Sequence, residues 1–143
     1  MTTEEYRAHA VDCDFMGEVE RDQARIKATA EVFTPATLVN EMLDALQAAD
    51  PEIFVDPDRT FFEPTLGDGQ FLVEIVARKM EQGGVDLIHA LKSIYGVEMM
   101  EDNLARAKKR LAGPNPTEEI LTVLNENLKL GDALDESTWK EVA

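Results

Sequence analysis

The sequence contains little cysteine and little histidine, the residues that most often form disulfides or hold structural metal ions. There are one cysteine and two histidines among 143 residues. Cys13 cannot form an internal disulfide, and one cysteine with two histidines makes no recognisable zinc pattern. We therefore expect a protein without a resident metal ion, in a reducing compartment such as the cytoplasm.

Long hydrophobic runs are also absent. No segment approaches about 18 uninterrupted apolar residues, the length from which a membrane-spanning helix is predicted. The opening residues, Met-Thr-Thr-Glu-Glu-Tyr, lack the positive charges and the apolar stretch of a secretory signal peptide. The sequence thus predicts a soluble cytoplasmic protein that does not associate with membranes.

Positive charge is scarce. The chain has 14 Lys and Arg against 29 Asp and Glu, a formal net charge of −15. Proteins bind DNA and anionic bilayers largely through Lys and Arg, so we expect neither to be bound by this chain alone. Hydrophobic residues still make up 44% of the sequence. This fraction, at this length, predicts one globular domain with a core.

Hydrophobic periodicity and turn residues predict alternating strands and helices that follow an N-terminal arm. Phe15, Val19 and Ile26, spaced among charges, indicate a loosely amphipathic helical arm over residues 1–30 that packs weakly on the core. Residues 31–143 form the predicted domain. Its predicted helices cover residues 35–49, 70–82, 85–92, 102–111 and 117–125, and its predicted strands cover residues 60–62, 93–97 and 128–130. This alternation favours an α/β fold, with a parallel sheet and helices on both faces.

The helix over residues 35–49 has a recognisable start. Thr34 is placed to cap it, with Pro35 at the first helical position. Four apolar residues then recur at helical spacing, as in a stripe that faces a core. They are Leu38, Met42, Leu43 and Leu46.

Three loops follow the three predicted strands, and each contains acids or glycines. They are Glu63 to Gly69, Glu98-Met99, and Gly131 to Leu134. Because ligands of parallel sheets bind beyond the carboxyl ends of the strands, we expect the loops to converge on one crevice. Gly67 and Gly69 allow a positive φ and the close approach of a ligand. Alone, this Gly-x-Gly is equally well explained as a tight strand-to-helix turn.

The glycine loop does not fit a phosphate-binding site. A dinucleotide site would have a third glycine where Leu72 stands, and no base lies between Arg59 and Arg78 to hold a pyrophosphate. The chain also has no Gly-x-x-x-x-Gly-Lys-Ser/Thr motif. These differences weaken a dinucleotide interpretation and exclude a P-loop nucleotide site.

The acids in these loops favour a cationic ligand instead. Glu63 and Asp68 would attract an ammonium or sulfonium group, and Glu98 can accept hydrogen bonds from a ribose diol. S-adenosylmethionine carries all of these groups. The acids therefore predict that this nucleoside is the cofactor.

Four strings carry a family resemblance, and they occur in the family's order. Glu31-Val32-Phe33-Thr34-Pro35, the segment from Phe62 to Leu72, Ile94-Tyr95-Gly96-Val97-Glu98 and Gly131-Asp132-Ala133-Leu134 resemble the cofactor-binding motifs of adenine-specific DNA methyltransferases. The resemblance runs from about residue 25 to 135. It implies a Rossmann-like S-adenosylmethionine-dependent methyltransferase fold, in a minimal or incomplete version, that binds S-adenosylmethionine or S-adenosylhomocysteine.

The resemblance also implies roles for individual residues. Phe33 and Thr34 would close over the methionine end of the cofactor, while the glycine loop would hold its amino and carboxylate groups. Glu98 would bind the ribose hydroxyls, Met99 would lie against the adenine, and Asp132 would accept a hydrogen bond from the adenine amine. The full set of implied cofactor-binding residues is Phe33, Thr34, Glu63, Pro64, Gly67, Asp68, Gly69, Phe71, Glu98, Met99, Asp132 and Ala133.

Several of these residues also have a structural explanation. Phe33 can act as a hydrophobic staple for the following helix, Met99 can fill the core, and Asp132 can stabilise a turn. Glu98 is the clearest candidate. A carboxylate that ends a buried apolar strand is costly unless a polar group meets it.

One motif of the family is missing. The family holds its target adenine with an Asn- or Asp-Pro-Pro-aromatic string, and this chain has no Pro-Pro pair. Pro114-Asn115-Pro116-Thr117 precedes the third strand and lacks an aromatic residue, so we interpret it as an interhelical turn. No catalytic residue is predicted. We expect a natural short form, or one part of a split or truncated enzyme, that meets DNA only through a basic partner or a missing C-terminal part.

Two other functions remain open. The acidic surface could imitate DNA, as in some small anti-restriction proteins, on a chain that retains the methyltransferase fold. Alternatively, the chain could methylate a small molecule, with Glu63 or Asp132 as the base. An incomplete sheet with exposed edges also predicts a protein partner or a homo-oligomer.

Overall fold

Helices and strands alternate along the part of the chain that the computed structural model describes, which is residues 1–19 and 34–137. The helices are α1 (Thr3–Val19), α2 (Ala36–Ala49), α3 (Gln70–Gly83), α4 (Leu87–Lys92), α5 (Glu101–Ala112) and α6 (Glu118–Asn127). The strands are β1 (Phe61–Glu63), β2 (Ile94–Glu98) and β3 (Leu128–Leu130). The protein is a small α/β protein with a three-stranded parallel sheet flanked by helices.

The sheet has the order β1-β2-β3, with both pairings parallel. Glu63 lies opposite Gly96, and Glu98 lies opposite Leu130. The predicted parallel sheet is therefore confirmed, and each strand begins within one residue of its predicted position. The strand positions can be predicted from local sequence, because each strand is a short apolar run bounded by turn residues such as Gly, Pro and Asp.

The first helix packs more tightly than the sequence predicts. Tyr6 and Ala10 are buried, and the Tyr6 hydroxyl donates to the Leu111 carbonyl oxygen at 2.9 Å. Arg7 forms ion pairs with Glu74 and Glu81 of α3. The prediction of weak packing is therefore wrong for α1, because this helix fills the space beside α3 and α5. The side chains of Phe15, Val19 and Ile26 lie outside the described residues, and the domain boundary at residue 30 stays a prediction.

The second helix faces the core with a different side from the one predicted. Its buried residues are Val39 and Leu43, whereas Leu38, Met42 and Leu46 are 44%, 47% and 49% exposed. The prediction that the whole stripe faces the core is thus correct only for Leu43. The helix packs on α3 through its Val39–Leu43 side, which turns the other three apolar residues outward.

The start of α2 also differs from the prediction. Pro35 is the N-cap residue, and the cap has no side-chain hydrogen bond. The Pro35 carbonyl accepts from the Val39 N–H at 3.0 Å, so the helix begins at Ala36. The predicted capping role of Thr34 is therefore wrong, because Thr34 lies one position too early.

The later helices agree with their predicted patterns. Leu104 and Leu111 of α5 are buried, as their spacing predicts, and α5 ends at Gly113, which has a positive φ of 77°. The Thr117 side chain accepts a hydrogen bond from the Ile120 N–H and caps α6. The Pro-Asn-Pro-Thr segment between α5 and α6 is thus an interhelical turn.

Candidate functional site at the carboxyl ends of the strands

Backbone hydrogen bonds hold together the loops that follow the three strands. The Leu66 N–H donates to the Val97 carbonyl, and the Gly131 N–H donates to the Glu98 carbonyl, both at 2.9 Å. Because both acceptors belong to the end of β2, the loops after β1 and β3 flank this strand on its two sides. The three loops that the sequence places at one edge of the sheet are therefore neighbours.

The glycine loop turns as its sequence predicts, but one glycine is required for a different reason. Gly67 and Gly69 have φ of 59° and 84°, in the left-handed region that favours glycine. A Cβ on Gly69 would lie 3.2 Å from the Cβ of Ala107 and 3.4 Å from its Cα. Gly69 thus permits the close approach of α5. The sequence predicts that this space admits a ligand, whereas at Gly69 it is filled by α5.

Asp68 lies between the two glycines of this loop, and it is buried. Its Oδ1 lies 3.2 Å from Nη1 of Arg110, and the same nitrogen donates to the Asp68 carbonyl at 2.8 Å. The side chains of Asp68 and Arg110 are only 5% and 1% exposed. The guanidinium compensates the charge of the carboxylate, so Asp68 ties the loop to α5. A direct contact of Asp68 with a cofactor stays a prediction.

Two buried polar residues of α5 support the strand ends, and neither is among the residues predicted from the sequence. Arg110 donates to the Asp68 and Ala10 carbonyls and to the Gln70 side chain. Asn103 donates from Nδ2 to Oε2 of Glu98 at 3.1 Å. Asn103 and Arg110 are each 1% exposed and lie seven residues apart, on one side of the helix. Their spacing of seven residues places both on the same side of α5 as its apolar residues, and from this spacing their burial could have been predicted.

Glu98 stands at the end of β2, where its carboxylate meets two donors. Oε1 accepts from the Met99 N–H and Oε2 accepts from Nδ2 of Asn103, both at 3.1 Å. The sequence predicts that a polar group meets this carboxylate, and the protein itself supplies two. These bonds orient Glu98 at the edge of the sheet.

The residues assigned to the adenine are exposed. Met99 is 65% exposed, so its alternative role as a core residue is wrong. Asp132 is exposed, and its Oδ1 accepts from the Leu134 N–H at 2.9 Å. Asp132 therefore does stabilise a turn, with Ala133 beside it. The contacts of Met99, Asp132 and Ala133 with an adenine stay predictions.

Glu63 is the partly buried acid that follows β1. It accepts hydrogen bonds from the Thr65 N–H at 3.3 Å and from the Thr65 hydroxyl at 3.1 Å. Burial raises the pKa of the Glu63 carboxyl, and the two bonds from Thr65 oppose this rise. Pro64 is exposed and Thr34 is partly exposed, while Phe33 lies outside the described residues.

A cavity of about 700 Å³ lies beside Glu63, between α2, β1 and α3. Apart from Glu63, its walls are apolar, and they include Phe71, Phe62, Met42 and Leu46. Of the predicted site residues, Glu63 and Phe71 line this cavity. The cavity could not be predicted from the sequence, because it forms between elements whose relative rotation is set by tertiary packing.

Comparisons with models of protein families, with curated proteins and with solved structures find no match to this chain. Within residues 1–19 and 34–137, none of the helices combines the length and the apolar character needed to cross a bilayer. The same residues contain no group of three or more His, Cys, Asp or Glu side chains arranged to hold a metal ion. A functional proposal therefore depends on the motifs and on the geometry of the strand ends.

Proposed function

We propose that the protein binds S-adenosylmethionine at the carboxyl edge of its sheet. In this proposal the chain is a minimal or incomplete Rossmann-like methyltransferase domain related to adenine-specific DNA methyltransferases. One observation carries the proposal. Two parallel strands end side by side, the first followed by a positive-φ glycine turn that opens α3 and the second by the Glu98 carboxylate. Open α/β sheets bind nucleosides at this edge.

The acids at this edge support a cationic ligand. Asp68 is compensated by Arg110, so the negative charge that a ligand meets comes mainly from Glu63 and Glu98. Burial raises the pKa of the Glu63 carboxyl. An ammonium or sulfonium group within about 4–6 Å would favour the ionised carboxylate and so gain binding energy. A phosphate would be repelled by the same groups.

The adenosine end of the cofactor would extend along β2 and β3. Glu98, oriented by Asn103, would accept hydrogen bonds from the ribose hydroxyls. The exposed thioether of Met99 offers an apolar, polarisable surface to the adenine ring. Asp132 would accept from the adenine amine. S-adenosylhomocysteine shares these groups, so it would occupy the same site.

Methyl transfer to DNA would require more than this chain. Transfer depends on holding the acceptor amine against the methyl group, and this positioning supplies about 7–11 kcal/mol of the barrier reduction in well-oriented reactions. The chain has no Pro-Pro pair with which to hold an adenine. We therefore assign it donor binding as a part of a split or truncated enzyme, with DNA reached through a basic partner or a further C-terminal part.

Isothermal titration calorimetry tests the proposal directly. We expect the wild-type chain to bind S-adenosylmethionine and the Glu98→Ala variant to bind about 10- to 100-fold more weakly, because a hydrogen bond to a charged group contributes about 1.5–3 kcal/mol. Glu126→Ala is the matched control. Glu126 is an exposed glutamate near the end of α6, just before β3 begins and hence at the opposite edge of the sheet. No heat at millimolar ligand with the wild type would contradict the proposal.

The second candidate is an acidic interaction protein that retains the fold without the cofactor. The observation in its favour is that the strand-end acids Asp68 and Glu98 are bonded by the protein's own Arg110 and Asn103. In that case S-adenosylmethionine gives no heat, while the chain displaces labelled DNA from a basic restriction or modification enzyme. Binding of S-adenosylmethionine that depends on Glu98 would exclude this candidate.

A further inference from the structure

An apolar stripe runs along the outer side of α2. Leu38, Met42 and Leu46 follow one another at intervals of four residues and are 44–49% exposed. The same helix buries Val39 and Leu43 in the core. A helix on a protein surface ordinarily has one apolar face, so α2 has a second face without a packing role inside the described part of the chain. Contiguous exposed apolar surface of this kind marks interaction sites.

The stripe borders the cavity between α2, β1 and α3. Met42 and Leu46 line this cavity together with Phe71 and with Phe62, which is 42% exposed. We call this concave apolar surface, formed by Leu38, Met42, Leu46, Phe62 and Phe71, the α2–β1 groove. From the first to the last residue of its stripe it extends about 12 Å, at 1.5 Å per helical residue. This length matches about two turns of a helix laid along it.

The groove belongs to the acidic part of the protein. Residues 34–91 contain eleven acids and three bases, a net charge of −8. Exposed Glu41 lies next to Met42 of the stripe, and Glu63 lines the cavity. A second copy docked on the same surface would bring an equal negative charge against it. A basic occupant would be attracted instead.

The three bases of this segment are already engaged within the protein, two of them with acids of the same segment. Arg59 pairs with Asp50 at 2.6 Å, and Arg78 pairs with Asp44 at 2.9 Å. The Lys79 ammonium is buried and donates to carbonyl oxygens and to a serine hydroxyl. Each base is thus engaged within the protein. The apolar groove and the acids around it together favour an occupant that has both apolar and basic side chains.

We propose that the α2–β1 groove docks an amphipathic helix of a basic partner polypeptide. The apolar face of this helix would cover Leu38, Met42, Leu46 and Phe62, and its Lys and Arg side chains would face the surrounding acids, as in other helix-in-groove complexes. The proposal names the partner surface of the protein. The groove shares Glu63 and Phe71 with the proposed cofactor site, whereas Glu98 and Asp132, which would hold the adenosine end, lie outside it.

A fluorescein-labelled synthetic peptide of about 18 residues provides the probe, with Leu at helical spacing and Lys elsewhere; shorter helices are marginal in water. Fluorescence anisotropy is measured with the full chain. We expect the peptide to bind the wild type and to bind the Leu46→Gln variant about tenfold more weakly, a loss of about 1.4 kcal/mol. Leu121→Gln is the matched control, because Leu121 is 46% exposed on α6, and it should bind like the wild type. Circular dichroism verifies that all three proteins are folded.

Two results would overturn the proposal. One is equal affinity of the peptide for all three proteins, or of a scrambled peptide of the same composition for the wild type, since both would mean attraction by charge alone. The other is a wild-type dimer in sedimentation equilibrium that Leu46→Gln dissociates, which would make a second copy the occupant. Calorimetry with S-adenosylmethionine on the wild type separates failure of this proposal from failure of the proposed function, because it measures cofactor binding without changing the groove.

Discussion

Glu63 is a single residue whose ionisation the fold opposes. Its carboxyl follows β1 and lines a largely apolar cavity, where burial raises its pKa in spite of the hydrogen bonds from Thr65. Glu81, on α3, shows the opposite effect. The hydrogen bond from Arg7 lowers the pKa of the Glu81 carboxyl, against a smaller opposing effect of burial. Because their pKa values are shifted in opposite directions, replacing each glutamate should change the stability of the protein with the opposite sign.

The Glu63→Gln variant should be more stable than the wild type at pH 7. A raised pKa in the folded state means that the protonated form stabilises the fold; this contribution is complete below the unfolded pKa of about 4.3 and is lost as pH rises through the folded pKa. Replacing Glu63 by a neutral amide removes this loss of stability at pH 7, because the amide does not ionise. Urea unfolding as a function of pH should show a higher midpoint for the variant at pH 7, with the difference closing below about pH 4.

Glu81→Gln is the control with the opposite sign. Because its folded pKa is lowered, ionised Glu81 stabilises the protein above the unfolded pKa, and this contribution is lost as pH falls through the folded pKa. The variant should be less stable than the wild type at pH 7 and equal to it in acid. If Glu63→Gln instead followed Glu81→Gln, burial would not be the dominant influence on Glu63.

At the scale of elements, α1 is anchored through Tyr6. This side chain is buried between α1 and α5, and its hydroxyl donates to the Leu111 carbonyl. Tyr6→Phe should lower the free energy of unfolding by about 1 kcal/mol, the net contribution of a hydrogen bond. Tyr6→Ala should lower it by about 3–5 kcal/mol through the cavity that it leaves. Both are measured by denaturant unfolding. A loss well under 1 kcal/mol for Tyr6→Ala would show that α1 is only loosely attached.

The elements could largely be predicted from the sequence because their signals are local. Helix and strand periods, with glycine and proline at the boundaries, place β3 at residues 128–130 in prediction and structure alike. The burial of Tyr6 could not be predicted, since it depends on α5, which lies far along the chain. The outward rotation of Leu38 likewise depends on how α2 meets α3. Which side chains of a helix are buried is decided by tertiary packing, which the local sequence pattern does not determine.

In the candidate site too, some features could be predicted from local sequence and others could not. The three strand-end loops and the positive-φ glycines follow from local sequence. The side chains that support these loops could not be predicted, because Asn103 and Arg110 reach the loops across the fold from α5. For this reason the sequence predicts that the charge of Asp68 is available to a ligand, whereas in the structure the Arg110 guanidinium pairs with it.

The molecule as a whole carries a charge of −15, and this charge opposes its own compact state. Several bases are engaged in internal pairs, so the remaining repulsion acts between surface acids. Raising NaCl from about 0.01 M to 0.5 M shortens the Debye length from about 30 Å to below 8 Å and should relieve it. We expect the midpoint of thermal unfolding to rise by about 3 °C, roughly 1 kcal/mol for a domain of this size.

Differential scanning calorimetry measures this change, and KCl in place of NaCl controls for an effect specific to sodium. A midpoint that falls with either salt would mean that attractive ion pairs, such as that of Arg7 with Glu74, outweigh the repulsion. The expected rise would also bear on partner binding, because the same screening weakens attraction between this surface and a basic polypeptide.

The bond between Tyr6 and Leu111 joins residues 105 positions apart, with consequences for the protein's synthesis. A ribosome adds about 5–20 residues per second, so roughly 5–20 s pass between the emergence of the first helix and that of its acceptor. During this interval the nascent chain exposes Tyr6 and Ala10 to water. We expect the Tyr6 contact of α1 to form only after Leu111 has emerged, and α1 to be a binding site for chaperones until then.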